Sequence, residues 1–335
     1  MTEPTLLTVL LNYRTPDMTL QAAAAALREL DGLNAELVIV DNDSQDGSFE
    51  KLASGVAAAG WDVRVLQSGH NGGFGAGNNF GIRAGLSDGS APDLYYILNS
   101  DAFPDAGSIR HLRDYLLANP KVGFAGSYIH GPEQDTHVTA FRFPSVASEF
   151  EGAIRFGPVT RLLSDHVVPL PVPTQSGAVD WLAGASLMMR ARVLEQIGLF
   201  DEAFFLYYEE TDLCRRAARA GWPTHYVVES RVTHIGSVST GMKEWDRVPG
   251  YWFDSRWHYF TKNHGSVYAV LATISHALGG VFYRLRRLVQ REKPADPPHF
   301  LRHLLVHDLT ALVRGNPRSQ RQDTAPPASV IREGE

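Results

Sequence analysis

Short apolar runs alternate with longer amphipathic stretches over roughly the first 130 residues, and that alternation predicts the fold class. Leu6-Leu7-Thr8-Val9-Leu10-Leu11 is a run of strand length. Behind it, Thr15 offers an N-cap and Pro16 a first-turn proline, so a helix is predicted from Pro16 to Leu30, stopped by Gly32. Glu36 to Val40 and Val63 to Leu66 read as further strands, with a helix from about Gly47 to Ala59 between them. Tyr95-Tyr96-Ile97-Leu98 is another buried strand, and it stops abruptly at Asn99-Ser100-Asp101. A helix from about Ala106 to Ala118 and a strand from Val122 to Gly126 follow. Strands separated by helices argue for an α/β protein with a mostly parallel sheet covered on both faces.

The pattern weakens from His130 to Ser176, where Pro132, Pro144, Pro158, Pro169, Pro171 and Pro173 predict a long irregular excursion. Order returns at Val179 to Met189, and a short helix from Arg190 is closed by Gly198. Next, the aromatic run Phe204 to Tyr208 gives way to Glu209-Glu210-Thr211-Asp212 and then to arginines. This predicts a helix starting near Glu209, with its carboxylates at the positive dipole end, a placement that helps keep them ionised near neutral pH. Thr224 to Val228 is a further strand, leading to His234.

Near the C-terminus, Val267, Val270, Leu271, Ile274, Leu278, Val281, Phe282, Leu285 and Val289 recur at helical spacing, accompanied by Arg284, Arg286, Arg287 and Arg291. Such a helix is expected to lie at an anionic membrane surface; packing on the rest of the chain, or on a second copy in a homodimer, is the alternative. A second amphipathic stretch, Phe300 to Val313, carries His299, His303 and His307, read as the polar side of a packed helix. The chain thus divides at 1–128, 129–245, 246–314 and a polar tail, 315–335, expected to be disordered.

Composition narrows the picture modestly. Of 335 residues 44% are apolar, enough for a substantial core. A net charge of −6 and a pI near 6.1 give no general attraction for nucleic acid. The single cysteine, Cys214, and a start at Met1-Thr2-Glu3-Pro4 without a basic and then apolar leader lead to the expectation of a reducing, cytoplasmic setting.

Candidate chemistry gathers at strand ends. In an open α/β sheet ligands bind beyond the carboxyl ends of the strands, which puts Asp101 where a metal or phosphate would sit. Asp41-Asn42-Asp43-Ser44 ends a second strand at the same edge. The stretch from His70 to Gly81 is dense in glycine, which lets backbone amides approach a phosphate or ribose. It fails the dinucleotide fingerprint: the sixth position is Asn78 counted from Gly73, and Phe80 counted from Gly75. Each feature has a plain structural alternative: turn chemistry for Asp101, a flexible loop for the glycines, helix-start chemistry for the acidic cluster and a satisfied structural histidine for His234.

Taken in order, Leu11-Asn12-Tyr13, Val38 to Ser44, Asn71-Gly72-Gly73-Phe74-Gly75-Ala76-Gly77-Asn78, Leu98 to Asp101, Trp181-Leu182-Ala183-Gly184-Ala185, Tyr208 to Leu213 and His234-Ile235-Gly236 form a set. Together they resemble a family 2 glycosyltransferase of the GT-A fold, in its bacterial rhamnosyltransferase-like branch, over about Leu6 to Gly265. The resemblance implies a nucleotide-sugar-binding half in 1–128 and an acceptor-binding, catalytic half in 129–245. It implies that Asn12, Tyr13, Arg14 and Asp41 hold the nucleotide, Asp41 accepting from the pyrimidine. The Asn71–Asn78 loop, with Gly73, and the Asn99-Ser100-Asp101 turn would sit against the donor. Asp101 and His234 would hold a divalent cation, Mg²⁺ or Mn²⁺. Trp181, with Glu209, would line the acceptor. Glu210 occupies the place of the catalytic base, with adjacent Glu209 as the rival. The partners implied are a nucleotide-diphosphate sugar and a glycan or lipid-linked glycan.

Charge dictates the chemistry such a set performs. Breaking a nucleotide sugar's glycosidic bond builds negative charge on the leaving diphosphate, which a bound cation stabilises. On the opposite face of the sugar, a carboxylate takes the proton of the attacking hydroxyl, and a single displacement inverts the anomeric centre. The expected donor is dTDP-L-rhamnose. A nucleotidyltransferase and a non-catalytic nucleotide-sugar binder are the other classes compatible with this sheet.

Overall fold

The structure is a computed structural model that describes residues 3–236, 246–293 and 295–314; the expected disordered tail, 315–335, lies outside the described residues. Its centre is β1 (Leu6–Asn12), parallel to β2 (Ala35–Asp41) on one side and β4 (Leu94–Asn99) on the other. Parallel β3 (Arg64–Gln67) closes that edge beyond β2. After β4 comes the short β5 (Ala102–Pro104), then β6 (Phe124–His130), the small pair β7 (Ala140–Phe141) and β9 (Trp181–Leu182), and β8 (Gly177–Val179). β10 (Ser186–Arg190) runs antiparallel between β4 and β6, and β11 (Thr224–His234) pairs with β6, β5 and β8. Most of the pairing is parallel, as the alternation of strands and helices implied.

Helices α1 (Pro16–Leu30), α2 (Ser48–Ala59), α3 (Phe74–Ala84), α4 (Ser108–Ala118), α7 (Ala191–Ile197) and α8 (Glu209–Arg219) flank the sheet. The apolar strands serve two cores at once. Along β4, Tyr96 and Leu98 face one cluster with Ala22, Leu52 and Leu112, while Tyr95 and Ile97 face another with Val193, Phe200 and Leu213. That is why the strand reads as an unbroken apolar run rather than an alternating one.

One expectation needs correction. The excursion after β6 is not wholly irregular: it holds α5 (Val146–Ile154) and α6 (Gly157–Leu162). Prolines flank α5 without interrupting it, and Ser145 caps it, accepting from the Ser148 amide at 3.1 Å while the Ser148 hydroxyl accepts from the Ser145 amide.

The C-terminal layer consists of helices α9 (Gly250–His264), α10 (Ser266–Val289) and α11 (Phe300–Arg314). Small residues, Ala269, Ala272, Gly279 and Gly280, form the buried face of α10, and a Cβ on Gly279 would lie 2.8 Å from the Phe150 carbonyl of α5. Leu271, Ile274, Leu278, Phe282 and Leu285 are exposed. Three of the four arginines are engaged by the protein: Arg286 donates to the carbonyls of Ile154 and Arg155, Arg284 pairs with Asp296, and Arg287 with Glu292. Among the described residues only α10 is long and apolar enough to cross a membrane, by length and composition.

Buried Arg256 of α9 ties this layer together, bridging Glu149 of α5 at 2.8 Å and Asp308 of α11 at 2.9 Å. Despite burial, Arg256 and His276 hold the Glu149 carboxyl down at about 2. His307 pairs with Asp254 and Asp308 and is raised to about 9 despite partial burial, so it is the packed polar residue that the sequence implied.

Candidate active site

Strand register brings the Asp101 site together. β5 leaves the Asn99-Ser100-Asp101 turn and pairs antiparallel with the end of β11, so that Ala102 faces His234. The Ile235 amide donates to the Asp101 carbonyl at 3.1 Å, and His234 Nε2 lies 3.0 Å from Asp101 Oδ1. Two residues 133 positions apart thus become neighbours through backbone pairing alone. Ser100 receives a hydrogen bond from the Thr15 hydroxyl, and the Asn99 side-chain oxygen is buried without a partner.

Across a cavity of about 390 Å³ stand Glu209 and Glu210 at the first turn of α8. The chain reaches them through Tyr207 and Tyr208, both in left-handed backbone (φ 71° and 69°), a conformation bulky residues adopt only when their surroundings impose it. Gly73 makes room for this loop. Its φ is +94°, a Cβ there would lie 1.8 Å from the Phe205 carbonyl oxygen, and the Phe74 amide donates to that oxygen at 3.0 Å.

The two glutamates differ. Glu210 Oε1 accepts from the Gly184 amide at 3.0 Å, and a Cβ on Gly184 would crowd that oxygen at 2.7 Å. Glu209 is 1% exposed, and its Oε2 has no hydrogen-bond partner. Burial pushes both carboxyls above the usual range, and neighbouring Glu210 pushes Glu209 well above it. Desolvation thus outweighs the helix dipole that the sequence suggested would favour the ionised forms. Asp212 stands apart, buried and bonded to Arg216, Lys262 and Asn263.

Of the sequence-predicted residues, Tyr13, Asn71, Gly73, Asn99, Ser100, Asp101, Glu209 and Glu210 line this cavity. The others do not line it. Asp41 is buried, and its carboxylate accepts from the Asn12 amide nitrogen at 2.7 Å and from the Ser44 hydroxyl and amide, so it fixes Asn12 and the Ser44 loop. Arg14 donates to the Ser44 carbonyl and lies against the Tyr13 ring. Asn78 is buried one turn into α3 and donates to the Phe74 carbonyl. Trp181 stacks on Phe141 at 4.2 Å and donates to the Arg142 carbonyl.

The glycine-rich segment is thus helical from Phe74, where the sequence suggested a loop through Asn78. Its glycines serve close packing: a Cβ on Gly77 would meet Leu11 at 2.5 Å, and one on Gly81 would meet Val9 at 2.5 Å. Sequence reasoning missed Asn42, which donates to Asn71 Oδ1 and the Gly73 carbonyl, and Gly184, whose bare amide holds Glu210. The signal for Gly184 was the glycine inside Trp181-Leu182-Ala183-Gly184-Ala185, overshadowed by its tryptophan.

Asp101, His234 and the Asn99 oxygen are donors suited to a hard divalent cation. Among the described residues no group of three or more His, Cys, Asp or Glu side chains gathers, so most of such an ion's shell would come from water and phosphate. A profile for the family described as "Glycosyltransferase like family 2" matches residues 12–248. This chain belongs to glycosyltransferase family 2.

Within the family it is 30% identical over 220 residues to N-acetylglucosaminyl-diphospho-decaprenol L-rhamnosyltransferase of Mycobacterium tuberculosis, covering 61% of this chain and 68% of that one. It is 27% identical over 191 residues to the low-salt glycan biosynthesis hexosyltransferase Agl10 of Haloferax volcanii, covering 55% and 54%. The fold is shared with the mannosyltransferase PcManGT of Pyrobaculum calidifontis, solved with GDP-Man and Mn²⁺. That likeness has a TM-score of 0.56 at 13% identity and covers 94% of this chain and 88% of that one. The enzyme is a glycosyltransferase of the rhamnosyltransferase-like branch with a GT-A sheet, which replaces the nucleotidyltransferase and the non-catalytic binder as readings.

Proposed function

We propose that this glycosyltransferase moves L-rhamnose from dTDP-L-rhamnose to a hydroxyl of a glycan or lipid-linked glycan, with inversion, at the inner face of the cytoplasmic membrane in cell-envelope synthesis. The observation that carries the mechanism is that Asp101, in the turn after β4, and Glu210, at the start of α8, line one cavity. Asp101 and His234 hold a divalent cation, Mg²⁺ or Mn²⁺, which when bound offsets negative charge on the leaving diphosphate. Tyr13, Asn71 and the Asn99-Ser100 turn bind the donor, with Asn12, Arg14, Asp41 and Asn78 positioning that wall from behind. Glu210, oriented by the Gly184 amide, takes the proton of the attacking hydroxyl. Its raised proton affinity suits a base that must accept a proton from an alcohol and release it to water near neutral pH. Glu209, whose proton affinity burial and then Glu210 raise, lines the same cavity beside it and contacts the acceptor.

The relative from Mycobacterium tuberculosis, whose name gives both a rhamnosyl product and a diphospho-polyprenol acceptor, supports this donor and acceptor class. The test is incubation with dTDP-L-rhamnose, GDP-mannose and UDP-glucose in turn, each with an N-acetylglucosaminyl-diphospho-lipid acceptor and Mg²⁺ or Mn²⁺. Release of dTDP and a rhamnoside of inverted configuration by NMR is expected. Turnover with another donor only, or retained configuration, sinks the corresponding part of the reading.

A further inference from the structure

A second cavity, of about 650 Å³, lies against the same helix as the catalytic one. On the first turn of α9, Tyr251 lines the catalytic cavity, whereas Gly250 and Phe253 line this one. Its other walls bring Arg247 together with Arg302, His303, Val306 and His307 of α11.

The charge here is unbalanced. His307 is neutralised by Asp254 and Asp308, but among the described residues neither Arg247 nor Arg302 makes an ion pair or hydrogen bond. The proton affinity of His303 is lowered by desolvation and then by Arg247, His299 and Arg302, a sign that cations crowd one another at this mouth. The first-turn amides of α9 also lack a side-chain cap. Two guanidinium groups and a helix start around one concavity fit a phosphate group.

The flank of the cavity is apolar. Val306 belongs to its wall and is 58% exposed; three and seven residues further along α11, Leu309 is 64% and Val313 79% exposed. At helical spacing these continue from the pocket as one exposed stripe. An anionic head beside an apolar tail is the chemistry of a lipid.

We propose that this pocket seats the phosphate of an anionic membrane lipid, with the Val306-Leu309-Val313 stripe of α11 resting in the acyl layer beside it. The proposal shares the membrane-side reading of the proposed function. Its test, however, needs no transfer reaction, so the two can fail separately.

The test is co-sedimentation of the full chain with phosphatidylglycerol vesicles and with phosphatidylcholine vesicles, beside donor binding by calorimetry as a control for folding. Wild-type protein is expected to prefer phosphatidylglycerol. Arg247→Gln with Arg302→Gln should weaken that binding by about thirtyfold, as two lost basic contacts imply, and leave donor affinity unchanged. Leu309→Ser should weaken binding to both kinds of vesicle. Undiminished phosphatidylglycerol binding by the double variant would overturn the proposal and assign attachment to α10. Failure of the wild type to sediment, together with arginine-dependent binding of inorganic phosphate, would overturn it in favour of a soluble phosphate ligand.

Discussion

Asp101 and Glu210 face the same cavity but are delivered to it in different ways. Asp101 ends a strand whose pairings fix it from both sides, with the Ala102–His234 register and the Ile235 amide bringing its neighbours. Glu210 begins a helix that follows two tyrosines in left-handed backbone, and the missing side chains of Gly73 and Gly184 let it approach. The strand end places a carboxylate beside an imidazole and a hydroxyl turn, polar company that suits a cation. The helix start buries its carboxyls and raises their proton affinity, which suits proton transfer. One edge of the sheet thereby presents two carboxyl groups with different chemistry.

The comparison is broken most severely at Asp101. Asp101→Ala is expected to lower turnover by at least ~10³, the scale of several kcal/mol of metal-assisted charge stabilisation, and to abolish the response to added Mn²⁺ or Mg²⁺. Steady-state rates with and without chelator check this; wild-type rates with an unchanged chelator response would dismiss Asp101 as a ligand. At the other side, Glu210→Gln keeps the shape of the side chain and removes its basicity. Turnover should fall by ~10² to 10⁴ while donor affinity stays near normal. Glu209→Gln measured beside it decides between neighbours: if that variant loses the rate and Glu210→Gln keeps it, the base is one residue earlier.

His234→Ala should cost less, about tenfold, because water can replace one ligand on a cation whose shell is mostly phosphate and water. The readout is the metal concentration giving half-maximal rate, which should rise while the rate at saturating metal recovers. A saturating rate as low as that of Asp101→Ala would show that the two residues do not play unequal parts.

The strand-end region was legible in the sequence because its logic is local. An apolar run that stops at Asn99-Ser100-Asp101 states where the strand ends, and strand ends in such sheets state where ligands bind. The bounds of α1 and the start of α8 were likewise written in Pro16 and in the change from aromatic to acidic residues. What escaped depended on partners far along the chain. The glycines of α3 looked like a phosphate loop because their reason, contact with Leu11, Val9 and Phe205, lies in other elements. Helix α5 was hidden among prolines since its stability comes from packing on α10 and from its Ser145 cap rather than from a long periodic stretch. The ionisation of Glu209 and Glu210 was misjudged for a related reason: a dipole can be inferred from a helix start, whereas burial cannot.

That misjudgement supplies the smallest and most specific effect. In the folded protein the Glu209 carboxyl binds its proton more tightly than an ordinary glutamate at 4.5, first through burial and then through Glu210. A folded value raised above the unfolded one contributes stability that is fully present below the unfolded value and is lost as pH rises through the folded value. Glu209→Gln has no proton to lose and keeps the side chain's size, so it should escape this loss. Thermal melts at about pH 5 and about pH 8 should therefore show the variant gaining on the wild type as pH rises, with the residual decline belonging to Glu210. Burial raises Glu210 as well, but only Glu209 carries the added push of its neighbour's charge. The acid limb of the rate profile should consequently stay in place in Glu209→Gln. A difference in melting temperature that is flat with pH would show that Glu209 is not a neutral carboxyl. A displaced acid limb would show instead that it shares its proton with the base.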